Sequence, residues 1–123
     1  MSNRILIAED YDDTRSFMCF MLRFHGYQIY EATNGKEAYE ITRLEHPDLI
    51  LMDISMPIMD GFTATKLIRE SGNGISQIPI IAVSALNYMY LEEALKAGCN
   101  EVVNKPVDFD KLNSIIKKYL TNH

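Results

Sequence analysis

The sequence predicts an α/β domain, a parallel sheet covered by helices on both faces. Three observations predict it. Short apolar runs alternate with longer segments of helical period along the whole chain. The runs are continuous rather than alternating, as in strands buried on both sides. The 123 residues, 47% hydrophobic and 24% charged, suit one domain that buries its core without disulfide staples.

The elements follow in order. "RILIA" (4–8) reads as a first strand. A helix over Asp13–His25 comes next, with Asp12 or Asp13 as N-cap and Gly26 as its stop. Phe17, Phe20, Met21 and Phe24, at helical spacing, are expected to be its buried stripe, with Met18 and Leu22 beside it. "YQIYEA" (27–32) is mixed and suits an edge strand; Gly35–Glu45 is the second helix. "LILM" (49–52) is a third strand, and Pro57, Asp60 and Gly61 shape a loop before a helix over Phe62–Glu70 that Asp60 caps. "IPIIAV" (78–83) leads to a fourth helix, Tyr88–Ala97, stopped by Gly98. "EVV" (101–103) is the last strand. The fifth helix, Phe109–Leu120, has Asp108 as N-cap and Phe109, Leu112, Ile116 and Tyr119 along one side.

Charge and composition exclude several functions. A net charge of −5 disfavours nonspecific nucleic-acid binding, which needs a basic face. No apolar run approaches the roughly 18 residues of a membrane span, and acids follow the first short apolar run too soon for a signal peptide. Cys19 and Cys99 lack metal or redox spacing and read as reduced thiols in a cytoplasmic protein. No linker or repeat divides the chain, so residues 1–123 are expected to be one domain with no attached output module.

In such sheets the working site lies at the carboxyl ends of the strands. Here those ends carry the polar residues. The first strand ends in Glu9 and Asp10, the third in Asp53, the fourth in Ser84, the fifth in Asn104 and Lys105. Carboxylates crowded in one pocket repel, each pair at ~4 Å costing about 4 kcal/mol at an effective dielectric near 20. A hard divalent cation such as Mg²⁺ relieves that repulsion, and Lys105 adds a fixed positive charge. A carboxylate nucleophile, a metal, an ammonium and a hydroxyl are the parts phosphoryl transfer needs.

Four motifs stand in order along the chain, "ILIAED", "MDISMPIMDG", "VSA" and "NKP". With them the sequence resembles the receiver domain of two-component response regulators, the CheY-like family. The resemblance implies a flavodoxin-like (βα)5 fold with strand order 2-1-3-4-5. It implies Asp53 as the acceptor of a phosphoryl group from a sensor histidine kinase or a histidine phosphotransfer protein. Asp10, Asp53 and the carbonyl of Ser55 would ligate Mg²⁺, and Glu9 would act mainly through a metal-bound water. Ser84 and Lys105 would contact phosphoryl oxygens, and the Lys105–Pro106 peptide would be cis. Phosphorylation would then alter the face made by the fourth helix, fifth strand and fifth helix, toward a downstream protein target, until autodephosphorylation resets it. Leu86 and Ser55 would flank the phosphate and tune its lifetime.

The chain departs from the family at Val102, where the last strand usually carries an aromatic switch residue. Tyr88 and Tyr90 are candidates for a related role. Met18 and Leu22 are either partly buried or a docking patch for a helical partner. Other functions compete. A small aspartyl-nucleophile phosphatase would carry a second Asp two positions after the first, where this chain has Ser55. An FMN module would need a phosphate-cradling loop where "EDYDDT" is strongly acidic. A receiver cut from a larger hybrid kinase or regulator is the remaining alternative.

Overall fold

The structure, a computed structural model, describes residues 3–85 and 91–120. Its elements are β1 (Arg4–Ala8), α1 (Asp12–Phe24), β2 (Gln28–Ala32), α2 (Gly35–Glu45), β3 (Leu49–Asp53), α3 (Gly61–Glu70), β4 (Ile80–Ser84), α4 (Leu91–Ala97), β5 (Glu101–Asn104) and α5 (Phe109–Leu120). The strands pair in parallel in the order β2-β1-β3-β4-β5. This is the flavodoxin-like arrangement implied by the motifs. Parallel neighbours cannot be joined by hairpins, so each crossover runs through a helix.

Two core clusters lie on opposite faces of the sheet, because successive strand residues point opposite ways. Leu6, Ile50, Met52, Ile80 and Ala82 meet Ala38 of α2, Ala64 and Ile68 of α3 and Ala94 of α4. Ile5, Ile7, Leu49, Leu51, Ile81 and Val83 meet Met18 and Leu22 of α1 and Leu112, Ile116 and Leu120 of α5. The continuous apolar runs of β1, β3 and β4 are thus used on both faces. Cys19 and Cys99 are buried free thiols, one in each cluster.

The phase of α1 corrects the sequence expectation. Phe17, Phe20 and Phe24 are 54%, 67% and 78% exposed, while Met18 and Leu22 are 4% and 0% exposed. Both sets have helical spacing. The turn from Glu9 into the helix decides which set meets the sheet, and periodicity carries no information about that turn. Met18 and Leu22 are therefore core residues, and the aromatic row faces outward. Tyr11, in an extended conformation and without a side-chain cap, precedes α1. Asp12 and Asp13 are its first-turn acids, which favour the positive end of the helix dipole.

The other helix ends match their signals. Asp60 accepts from the Thr63 amide at 2.8 Å, and Asp108 accepts from the Lys111 amide at 3.2 Å. Gly26 and Gly98 follow α1 and α4 with φ of 92° and 115°. On α5 the fully buried positions are Leu112, Ile116 and Leu120, with Phe109 and Tyr119 packed alongside. The expected start of the fourth helix at Tyr88, and the roles suggested for Leu86, Tyr88 and Tyr90, lie outside the described residues.

Gly61 shows how closely the loop after β3 is fitted. A Cβ there would stand 2.3 Å from the carbonyl oxygen of Asp53. That oxygen belongs to rigid backbone, so Gly61→Ala should cost about 1–3 kcal/mol in urea unfolding. Unchanged stability would show that the β3–α3 loop yields more freely than its packing implies.

Candidate functional site

Each strand tip delivers its side chain through local geometry. Asp53 is the last residue of β3, opposite Val83 of β4, and is 4% exposed. Glu9, one step past β1, is 1% exposed; Asp10 is exposed beside it. Ser84 ends β4 and is 2% exposed. Its carbonyl accepts the Lys105 amide at 2.8 Å, which carries Lys105 back over the site from β5. The Lys105–Pro106 peptide is cis.

The charges converge. Lys105 Nζ lies 2.6 Å from Glu9 Oε1 and 3.5 Å from Asp53 Oδ2. Asp53 Oδ1 accepts the Ser55 amide at 3.4 Å, and Glu9 Oε2 accepts the Tyr11 amide at 3.1 Å. Burial pushes the Asp53 carboxyl up to about 7, helped by the negative charge of Glu9 and opposed by Lys105. Burial presses the Lys105 ammonium down, but its hydrogen bond to Glu9 and the charge of Asp53 outweigh this and leave it raised.

One ammonium faces three carboxylates here. Oxygen atoms of Glu9, Asp10 and Asp53 lie within 4.8 Å of one another. An all-oxygen donor set with surplus negative charge and an exposed member fits a hard divalent cation. The contacts of Glu9, at 2.6 and 3.1 Å, are shorter than those of Asp53, at 3.5 and 3.4 Å, so Asp53 and the exposed Asp10 could turn more readily to a cation.

The loop after β3 is tied to the start of α2. Pro57 O accepts from Met59 N at 2.7 Å around Ile58, whose φ is 69°. This tight γ-turn puts the Met59 carbonyl 2.8 Å from the Gly35 amide at the start of α2. Ser55, two residues past Asp53, stays exposed on this loop.

Two features carry no signal in the sequence. A groove of about 580 Å³ runs from the site along α1, lined by Phe17, Met18, Ala85, Lys105, Pro106 and Val107. Arg15 reaches from α1 to the Glu9 carbonyl, donating at 2.9 Å. An arginine on a polar helix face reads as solvated until the turn before it is placed.

Comparison with known proteins gives a consistent result. A family model described as the response regulator receiver domain matches residues 5–117. The hybrid signal transduction histidine kinase M of Dictyostelium discoideum is 40% identical over 123 residues, 96% of this chain but only 5% of that protein's length. The polar-differentiation response regulator DivK of Brucella abortus is 32% identical, with 98% of each chain covered. Among solved structures, the receiver domain of sensor histidine kinase PA1611 of Pseudomonas aeruginosa PAO1 has a magnesium ion coordinated in its active site cleft. It superposes with a TM-score of 0.91 at 32% identity, covering 99% of this chain and 100% of that one. The receiver domain of Saccharomyces cerevisiae Ssk1, solved with the histidine phosphotransfer protein Ypd1, gives 0.87 at 29% identity over 96% and 88%.

Proposed function

Because this chain belongs to the response regulator receiver domain family of two-component phosphorelay signalling, we propose that it is a switch thrown by phosphorylation of Asp53. The observation that carries the reading is one buried carboxylate at the tip of the central strand, with an ammonium 3.5 Å from its oxygen and two further carboxylates alongside.

An Asp53 oxygen attacks the phosphorus of a phosphohistidine. The P–N bond breaks, its electron pair returns to the imidazole, and an acyl phosphate remains on Asp53. Asp10, Asp53 and the Ser55 carbonyl would hold Mg²⁺, with Glu9 acting indirectly. The cation would neutralise charge on the carboxylates and the incoming phosphoryl oxygens. Lys105 exchanges part of its contact with Glu9 for a phosphoryl oxygen, and the Ser84 hydroxyl donates to another. The Lys105 amide bonds to the Ser84 carbonyl, so the two residues move as a unit and draw the ends of β4 and β5 with them. Val102 is half-buried against the core and has no ring to swing, so the signal leaves through this backbone link toward α4 and α5. Ser55 tunes the lifetime of the phosphate from the open side. Beryllofluoride with Mg²⁺ tests the reading: amide shifts should spread from residues 53 and 84 to β5 and α5. Shifts confined to the pocket would refute the switch.

The partner is a sensor histidine kinase or histidine phosphotransfer protein, and we place its docking helix on the outward face of α1. Phe17 lines the groove that ends at Lys105, and Phe20 continues the exposed row. This replaces Met18 and Leu22, which are core. Phe17→Glu with Phe20→Glu should slow transfer from a phosphotransfer protein about tenfold or more, while labelling by acetyl phosphate stays at wild-type rate. Equal loss with both donors would mean that the fold, not docking, was damaged.

A further inference from the structure

We infer that Arg15 is a positioning residue for the cation site: it fixes the Glu9–Asp10 peptide and so aims the Asp10 carboxylate toward Asp53. The inference rests on the reading of Asp10 and Asp53 as cation ligands and adds a residue to the machinery behind them.

The Arg15 guanidinium, 14% exposed, serves three acceptors in three directions. It meets Asp12 Oδ1 at 2.6 Å within the first turn of α1, Glu31 Oε1 of β2 at 3.1 Å and the Glu9 carbonyl at 2.9 Å. Arg23 holds the other oxygen of Glu31 at 3.5 Å, which steadies that carboxylate. The Glu9 carbonyl and the Asp10 amide share one rigid plane, so the direction of that carbonyl sets the direction in which Asp10 leaves the chain. The Glu9 amide is already tied to the Ala32 carbonyl at 3.0 Å, and its side chain to Tyr11 and Lys105. Arg15 adds a hold on the Glu9 carbonyl, and its fork reaches the three acceptors in a way a lysine's single ammonium cannot.

Charge and positioning predict opposite signs. Arg15 places a positive charge close to a site meant for a cation, so on charge alone its removal would tighten Mg²⁺ binding. Loss of positioning weakens it. Mg²⁺ titration of the full unphosphorylated chain, followed by amide NMR, should show an affinity about tenfold lower in both Arg15→Ala and Arg15→Lys. In EDTA the Asp10 amide should already be shifted in both variants. Arg15→Lys keeps the charge and guards against a fold lost in Arg15→Ala. Mg²⁺ binding at wild-type strength or tighter in either folded variant overturns the inference. Asp10→Asn separates the two levels. If it loses binding while the Arg15 variants do not, this inference alone fails; if it binds normally, the cation-site reading falls as well.

Discussion

Asp53→Asn should leave the protein unable to gain the mass of a phosphoryl group from acetyl phosphate and Mg²⁺, a loss of at least about a thousandfold. The amide of asparagine is no nucleophile at neutral pH, and Asp53 is the carboxylate that sits on the strand tip beside Ser84 and Lys105. Glu9 is 1% exposed and has its oxygens on Lys105 and the Tyr11 amide. Asp10 is exposed to solvent, and its carboxylate is read as a cation ligand rather than as the acceptor. The substitution is nearly isosteric, and asparagine keeps an oxygen for the Ser55 amide. The far-ultraviolet dichroism should therefore match wild type. Intact mass after incubation measures the effect, and fragmentation locates any residual phosphate. Undiminished labelling of the substituted protein, at Asp10 or elsewhere, would remove Asp53 from the centre of the proposal.

The sequence made strands and their tips readable for one physical reason. A strand covered on both faces has to be apolar throughout, so the first polar residue after the run marks where the chain leaves the core. Glu9, Asp53 and Ser84 stand out on that ground, and the structure brings Glu9, Asp53 and Lys105 into contact. The boundaries moved by only a residue or two where the tip residue itself still pairs, as Asp53, Ser84 and Asn104 do. Helix orientation was less legible. The phenylalanine row of α1 is as periodic as its true core face of Met18, Cys19 and Leu22. Nothing within a helix states the angle at which the preceding turn delivers it. Arg15 was hidden for the same reason, because its acceptors come from β2 and from the loop before α1, which become neighbours only once β2 pairs beside β1. Local pattern thus reports burial along an element. Contacts between elements follow from turns whose geometry is set by backbone, and those are what the sequence left open.

Asp53→Asn should also stabilise the protein in Mg²⁺-free buffer, and the gain should grow with pH. Asp53 is pushed from an ordinary carboxylate value of 3.8 up to about 7, first by burial and then by Glu9. A carboxyl raised on folding binds its proton more tightly in the folded chain. Below about pH 4 both states are protonated and the group contributes nothing. Between about pH 4 and pH 7 the unfolded chain ionises while the folded one resists, and stability falls. Above pH 7 the full cost is present. At about 1.4 kcal/mol per unit it reaches roughly 4 kcal/mol as an upper bound, and about 2 once relaxation and water entry are allowed for. Asparagine carries no such charge. Urea unfolding in EDTA should therefore show the Asp53→Asn protein more stable than wild type by about 2 kcal/mol at pH 8, with little difference at about pH 4.5. Saturating Mg²⁺ should close the gap at pH 8, since a ligand bound only to the folded wild type returns what the crowded carboxylates cost. A gap of the same size at both pH values would show that asparagine acts through packing. Destabilisation by Asp53→Asn would mean that Lys105 alone already neutralises the pocket.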